Sequence, residues 1–204
     1  KLLFLFLLIF LLLPAPHVTA KKVATLPNIL TPYDLLVDND RFYINESATI
    51  YIFSLKDYSL VKKFGRKGEG PGEFKLDDDN TVFVCLLPDS LMINSVGRIS
   101  YFSKDGTFIR ETPNHSGQWL KPLGDHFVGM RIWYDKNNTR FRTVCIFDPQ
   151  LNRLKDIYSE VHGIQQRKKT IDAISWPSSW NYLTYGDNVF VMGIENKLHI
   201  YNKQ

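Results

Sequence analysis

A short strand motif occurs four times along the chain and narrows the possible folds sharply. Thr49-Ile50-Tyr51-Ile52-Phe53, Arg98-Ile99-Ser100-Tyr101-Phe102, Thr143-Val144-Cys145-Ile146-Phe147 and Lys197-Leu198-His199-Ile200-Tyr201 begin 49, 45 and 54 residues apart. Each reads as the third of four short strands. In the first set, runs rich in Ile, Val, Phe and Tyr over 33–37, 41–45, 49–55 and 60–64 are separated by polar turns such as Asp38-Asn39-Asp40. The second set spans 82–87, 90–95, 98–103 and 107–111, and the third 119–123, 126–134, 141–147 and 153–158. The fourth has only 181–185, 188–194 and 197–201. Four-stranded antiparallel units repeating every ~40–50 residues are propeller blades, so the fold class is all-β, a β-propeller. An immunoglobulin-like sandwich lacks this self-similarity. The expected blades cover about 31–66, 80–112, 118–159 and an incomplete 180–204.

Between the first two blades lies Phe64-Gly65-Arg66-Lys67-Gly68-Glu69-Gly70-Pro71-Gly72-Glu73-Phe74. This stretch resembles the NHL-repeat signature FG-x-x-G-x-GPGEF and the related six-bladed propellers of exported bacterial proteins. The other junctions keep only Gly117 and Gly163. The resemblance implies six blades, of which about 3.7 are present, and Lys22–Leu26 as a strand that closes the ring. Gly65, Gly68, Gly70, Pro71, Gly72 and Phe74 are read as structural: glycine supplies positive φ where the chain crosses between blades, and Phe74 plugs the gap. A phosphate-cradling loop is not favoured, because no Gly-Lys-Ser/Thr and no helix N-terminus follow.

Lys1, an apolar run from Leu2 to Leu13 and the small-residue end Val18-Thr19-Ala20 form a signal peptide, with cleavage expected after Ala20. The run is shorter than the ~20 residues of a bilayer span, so no permanent membrane span is expected after cleavage, and the protein is read as secreted or periplasmic. Lys at the first position and Gln204 inside a repeat suggest a piece of a longer chain. Residues 21–204 carry 24 Lys+Arg against 21 Asp+Glu, dispersed, which is no nucleic-acid signature. Cys85 and Cys145 are open to two readings, a disulfide or two buried thiols.

Binding residues are sought in two unusual loops. The segment 162–179 is long, basic at Arg167-Lys168-Lys169, and ends in Trp176 and Trp180. The 134–140 loop is flanked by Arg131, Trp133 and Tyr134. Aromatics beside cations suit a protein, peptide or carbohydrate ligand, against the blander readings of inter-blade packing and solvated charge. Asp77-Asp78-Asp79-Asn80 lacks the alternation and glycine bend of a calcium loop. His115, His126, His162 and His199 do not recur at one blade position, so no metal, cofactor or catalytic residue is assigned. Asn45, Asn114 and Asn137 open glycosylation sequons. The expected function is a ligand- or protein-binding module. The alternatives are a lactonase-like or streptogramin-lyase-like hydrolase or lyase with its catalytic residues in other blades, and a structural module of a larger surface protein.

Overall fold

A computed structural model of the protein describes residues 21–26, 29–76, 81–114, 117–161, 182–192 and 198–203. Among the described residues, fifteen strands form four separate antiparallel sheets, each a simple meander. Blade 1 holds β1 (Asp34–Val37), β2 (Arg41–Glu46), β3 (Thr49–Ser54) and β4 (Leu60–Phe64). Blade 2 holds β5 (Phe83–Leu86), β6 (Ser90–Ser95), β7 (Arg98–Ser103) and β8 (Phe108–Pro113). Blade 3 holds β9 (Gln118–Leu123), β10 (His126–Tyr134), β11 (Arg140–Phe147) and β12 (Arg153–Val161). Blade 4 shows β13 (Tyr182–Tyr185), β14 (Asn188–Met192) and β15 (Leu198–Asn202). The first strands of successive blades lie against one another, β5 on β9 and β9 on β13, and β1, β5, β9 and β13 together wall a cavity of about 570 Å³. Blades arranged radially around their first strands define a β-propeller.

Residues that alternate along a strand feed opposite faces of a blade, and both faces are buried, so the middle strands read as nearly continuous apolar runs. On β3, Ile50 and Ile52 face blade 2, where they meet Val82, Leu91, Ile93 and Phe102. At the equivalent positions, Ile99 and Tyr101 of β7 face blade 3, packing with Leu120, Cys145 and Phe147. Val144 and Ile146 of β11 in turn face Tyr182, Val189 and Val191 of blade 4. The core is therefore a series of seams, each built by two neighbouring blades.

Polar latches close the seams. The Lys104 ammonium, in the β7–β8 turn, meets Asp38 of the β1–β2 turn at 2.7 Å. This contact holds the Asp38 carboxyl below its ordinary range. Lys203, six residues after the repeat motif begins just as Lys104 is, meets Asp125 at 3.2 Å and Asp187 at 2.9 Å. The Asp125 carboxyl is held down at about 2, first by the His126 ring and then by Lys203. Pro149 occupies the corresponding place in blade 3, so the seam between blades 2 and 3 has no such lysine. At the opposite ends of the strands, Asn45 donates to the Val82 carbonyl at 2.8 Å and Asn94 to the Gly117 carbonyl at 3.0 Å. Each asparagine thereby ties the second strand of one blade to the entry of the next.

Two expectations need correction. Lys22–Leu26 forms no strand; instead Leu26 and Ile29 pack on Phe42, Ile44 and Phe53, the face of blade 1 turned away from blade 2. A closing strand needs further strands to pair with, and none is present among the described residues. In the junction motif, Gly65 and Gly72 do adopt positive φ (84° and 72°), but Gly68 and Gly70 do not. Those two are small because the Glu73 side chain folds across them. A Cβ on Gly68 would lie 2.1 Å from Glu73 Oε2, and the Gly70 N–H donates to that oxygen at 2.9 Å. This hydrogen bond and the Arg66 guanidinium keep the Glu73 carboxyl below its usual range. Phe74 is fully buried among residues of blades 1 and 2.

Of the two readings of the cysteines, the structure takes the second: Cys85 and Cys145 are free and buried in the seam between blades 2 and 3. Burial pushes both thiols up to about 12, and for Cys145 the Asp156 carboxylate, which accepts its S–H at 3.2 Å, adds to the rise. Thiolate is the reactive form, so at pH 8.5 the folded thiols should be nearly inert. Labelling by a disulfide reagent should be at least about tenfold slower in the native protein than in guanidinium. Equal rates in the two conditions would contradict the seam as described.

Candidate functional site

Blade 3 differs from its neighbours in strand length. β10, β11 and β12 run for 9, 8 and 9 residues, whereas the corresponding strands of blades 1 and 2 run for five or six. Most of the surplus projects at one end, the face that also carries the turns between second and third strands and the junctions between blades; one residue of β12 is taken up by a second bulge. The result is a three-stranded arm, with Arg131↔Thr143, Trp133↔Phe141 and Tyr134↔Arg140 paired across β10 and β11, and Phe141↔Val161 across β11 and β12. Asp135 closes its tip by accepting the Asn137 and Thr139 N–H groups at 2.9 and 2.8 Å.

Alternation sorts the arm into two faces. Arg131, Trp133, Phe141 and Thr143 share one. Trp133 stacks on Phe141 with centroids 4.5 Å apart and planes 12° apart, and its indole N–H donates to Thr143 Oγ1 at 2.9 Å. The Arg131 guanidinium lies 5.7 Å from the Trp133 ring centre. Tyr134, Arg140 and Arg142 lie on the other face, and Tyr134 is 57% exposed. Trp133 is thus held rigidly at both its ring and its N–H, which keeps the entropy cost of presenting it low. Arg131, Trp133 and Tyr134, singled out in the sequence, come together here. Arg167, Lys168, Trp176 and Trp180 lie outside the described residues, as do Asp77–Asn80, His115 and His162.

Sequence reasoning missed Arg140, Phe141 and Arg142, which only the β10–β11 register brings beside Trp133. It also missed the latches, although the repeat alignment held their signal: Asn45 and Asn94 both follow an isoleucine, and Lys104 and Lys203 hold the same place in their repeats.

The central cavity is lined chiefly by apolar groups. Tyr33, Phe83 and Trp119 form a chain of edge-on aromatic contacts along its wall, with centroids 5.6 and 4.7 Å apart. Trp119 adopts φ = 51°, an unusual conformation for a bulky residue, and its carbonyl accepts the Tyr182 hydroxyl. Lys121 donates to the Tyr182 carbonyl at 3.3 Å. Among the described residues, no three His, Cys, Asp or Glu side chains converge as a metal site would require, and no helix is long and apolar enough to cross a membrane.

The fold and arm define the chain as a β-propeller with one extended blade. Solved structures of similar shape include PorZ, a surface component of the type IX secretion system of Porphyromonas gingivalis, at 12% identity and a TM-score of 0.42 over 84% of this chain. The β-propeller domain of Cps50 (Swd1) from Myceliophteria thermophila matches at 12% and 0.40 over 86%. The WD40 domain of SCAP from fission yeast matches at 6% and 0.41 over 85%. The chain spans 21%, 54% and 42% of those chains, respectively. No protein-family model and no curated protein matches it.

Proposed function

We propose that this chain belongs to an exported, six-bladed propeller of the NHL-repeat-like type that binds a protein partner through the junction face of blade 3. The projecting arm is the observation that carries the binding role. Three overlong strands place a rigid Trp133, an exposed Tyr134 and several arginines beyond the level of the other blades. Aromatic and arginine side chains are the residue types that dominate protein interfaces. The leader-like residues 1–20 support export. Blades beyond the fourth are supported by Leu198 and Ile200, which occupy the repeat positions that face the next blade, yet stand 57% and 60% exposed.

The test is photo-crosslinking in the native host. A benzophenone amino acid replaces Tyr134 in the full chain, or replaces Asp89, which lies in the β5–β6 turn at the opposite end of the strands. One dominant adduct is expected from position 134, lost in Trp133→Ala. Equal adducts from both positions, or an adduct unaffected by Trp133→Ala, would overturn the docking role.

A further inference from the structure

A second cavity, of about 140 Å³, opens beside the arm at the seam of blades 2 and 3. Asn94, Ser95, Gln118 and Arg131 are among its walls, with Phe83 and Met130 contributing apolar surface. Its composition becomes informative when the repeats are compared. Glu46, Ser95 and Arg131 occupy the same place in blades 1, 2 and 3, each paired with the first residue of the recurring motif: Thr49, Arg98 and Thr143.

In blade 1 that place is satisfied. Glu46 accepts the Leu30 and Thr31 N–H groups at 2.9 and 2.7 Å and the Tyr51 hydroxyl at 3.2 Å. At the seam of blades 2 and 3 it is not. Ser95 is 6% exposed, and its hydroxyl has no hydrogen-bond partner among the described residues. Arg131 makes no ion pair among the described residues; its guanidinium lies 5.7 Å from the Trp133 ring centre. A buried hydroxyl without a partner costs free energy, and the cost is recovered if a ligand atom reaches it.

The strand beside this cavity has a free edge. β9 pairs with β10 only as far as Met130, so Arg131–Tyr134 pair with β11 on one side and, among the described residues, with nothing on the other. An unpaired edge next to side-chain pockets is how extended peptides add to a sheet. Charge selects among such peptides. The arm carries Arg131, Lys136, Arg140 and Arg142 against Asp135 and Glu160, and Asp135 is already engaged by its own turn.

We infer that the cavity is a carboxylate pocket. It receives an Asp or Glu side chain of an extended acidic segment of the partner, which pairs along the free edge of β10. A carboxylate offers only acceptors, matching the Ser95 hydroxyl, the Gln118 amide and the Arg131 guanidinium, which supplies the charge. A cavity of this size admits a short acidic side chain.

This inference rests on blade 3 being the docking face, and its test is separate from the crosslinking one. Two fluorescently labelled pentapeptides, Thr-Val-Glu-Val-Thr and Thr-Val-Gln-Val-Thr, both capped at their ends, are titrated against the full chain by anisotropy. The Glu peptide should bind about tenfold more tightly at about 50 mM salt, and the gap should shrink at about 500 mM. Arg131→Gln should abolish the gap while Arg131→Lys keeps most of it, with unchanged thermal melts in both. Ser95→Ala should weaken the Glu peptide by about threefold to tenfold. Equal affinities for the two peptides, a gap that survives Arg131→Gln, or no saturable binding of the Glu peptide up to about 10 mM would each overturn the pocket. Partner adducts at position 134 together with any of these results would leave the docking role standing. Peptide discrimination without those adducts would do the reverse.

Discussion

Phe74→Ala is expected to destabilise the protein by about 3–5 kcal/mol, enough to unfold much of it at 37 °C if its stability is ordinary for a domain. Phe74 is fully buried, meets Phe102 of blade 2 edge-on at 5.9 Å, and packs with Ile50, Ile52 and Ala48 of blade 1. Its removal leaves a hole that two separate sheets must close, and neither can shift without losing its own ladder. Gly65→Ala probes the same plug from the other side. Its Cβ would lie 2.4 Å from Phe74 Cε2 and 2.5 Å from the Ala48 carbonyl oxygen, at φ = 84°. One of those neighbours is backbone and cannot swing aside, so a loss of several kcal/mol is expected. Gly68→Ala is the contrast. There the clash is with the end of the Glu73 side chain, which can move at the cost of its hydrogen bonds, and the loss should stay near 1 kcal/mol. Urea midpoints of the three variants give the ranking. A Phe74→Ala loss under about 1 kcal/mol would dismiss the plug.

The second large effect concerns association. On blades 1 to 3, the two motif residues that face the next blade are at most 9% exposed: Ile50 and Ile52, Ile99 and Tyr101, Val144 and Ile146. On blade 4 their counterparts Leu198 and Ile200 are 57% and 60% exposed, and Leu183 and Tyr185 of the same sheet 65% and 80%. Burying a large aliphatic side chain is worth about 1.5–3 kcal/mol, so this face should find another surface. The chain prepared as given, at about 10 μM, is expected to elute as polydisperse oligomers. Leu198→Glu combined with Ile200→Lys should shift the profile to monomer. A monodisperse monomer without these substitutions would contradict both the stickiness of the face and the blade proposed to cover it.

Legibility in the sequence follows the range of the interactions. Strand existence was readable because it depends on residues within a few positions: apolar alternation along the strand and Asp, Asn, Gly or Pro between strands. The recurring motif located Ile50, Ile99 and Val144 before any contact was known, since equivalent repeats must meet equivalent neighbours. Strand ends were less legible. The sequence places the end of the last strand in blade 3 at Tyr158, but β12 continues to Val161 because β11 supplies paired backbone as far as Phe141. Lys22–Leu26 has a strand-like composition, yet what it becomes depends on a partner far from it in sequence. The glycines of the junction motif read as positive-φ positions, which holds for Gly65 and Gly72; for Gly68 and Gly70 the demand comes from Glu73, not from φ.

The candidate site shows the same division. Arg131, Trp133 and Tyr134 could be marked as a cluster by local composition. That Arg131 shares the Trp133–Phe141 face, stands beside an unpartnered Ser95 some 36 residues earlier, and borders a free strand edge depends on register and on how two blades abut.

That this chain is a series of four-stranded blades follows from its residues alone, because hydrophobic period and turn chemistry are local and the repeat multiplies a weak signal four times. Contacts between blades were needed to show which seams are latched by lysine and which is not, that the cysteines are separate thiols, and that blade 3 rises above its neighbours beside a polar cavity. Those are properties of surfaces shared by two blades, and a shared surface joins residues that no local pattern relates.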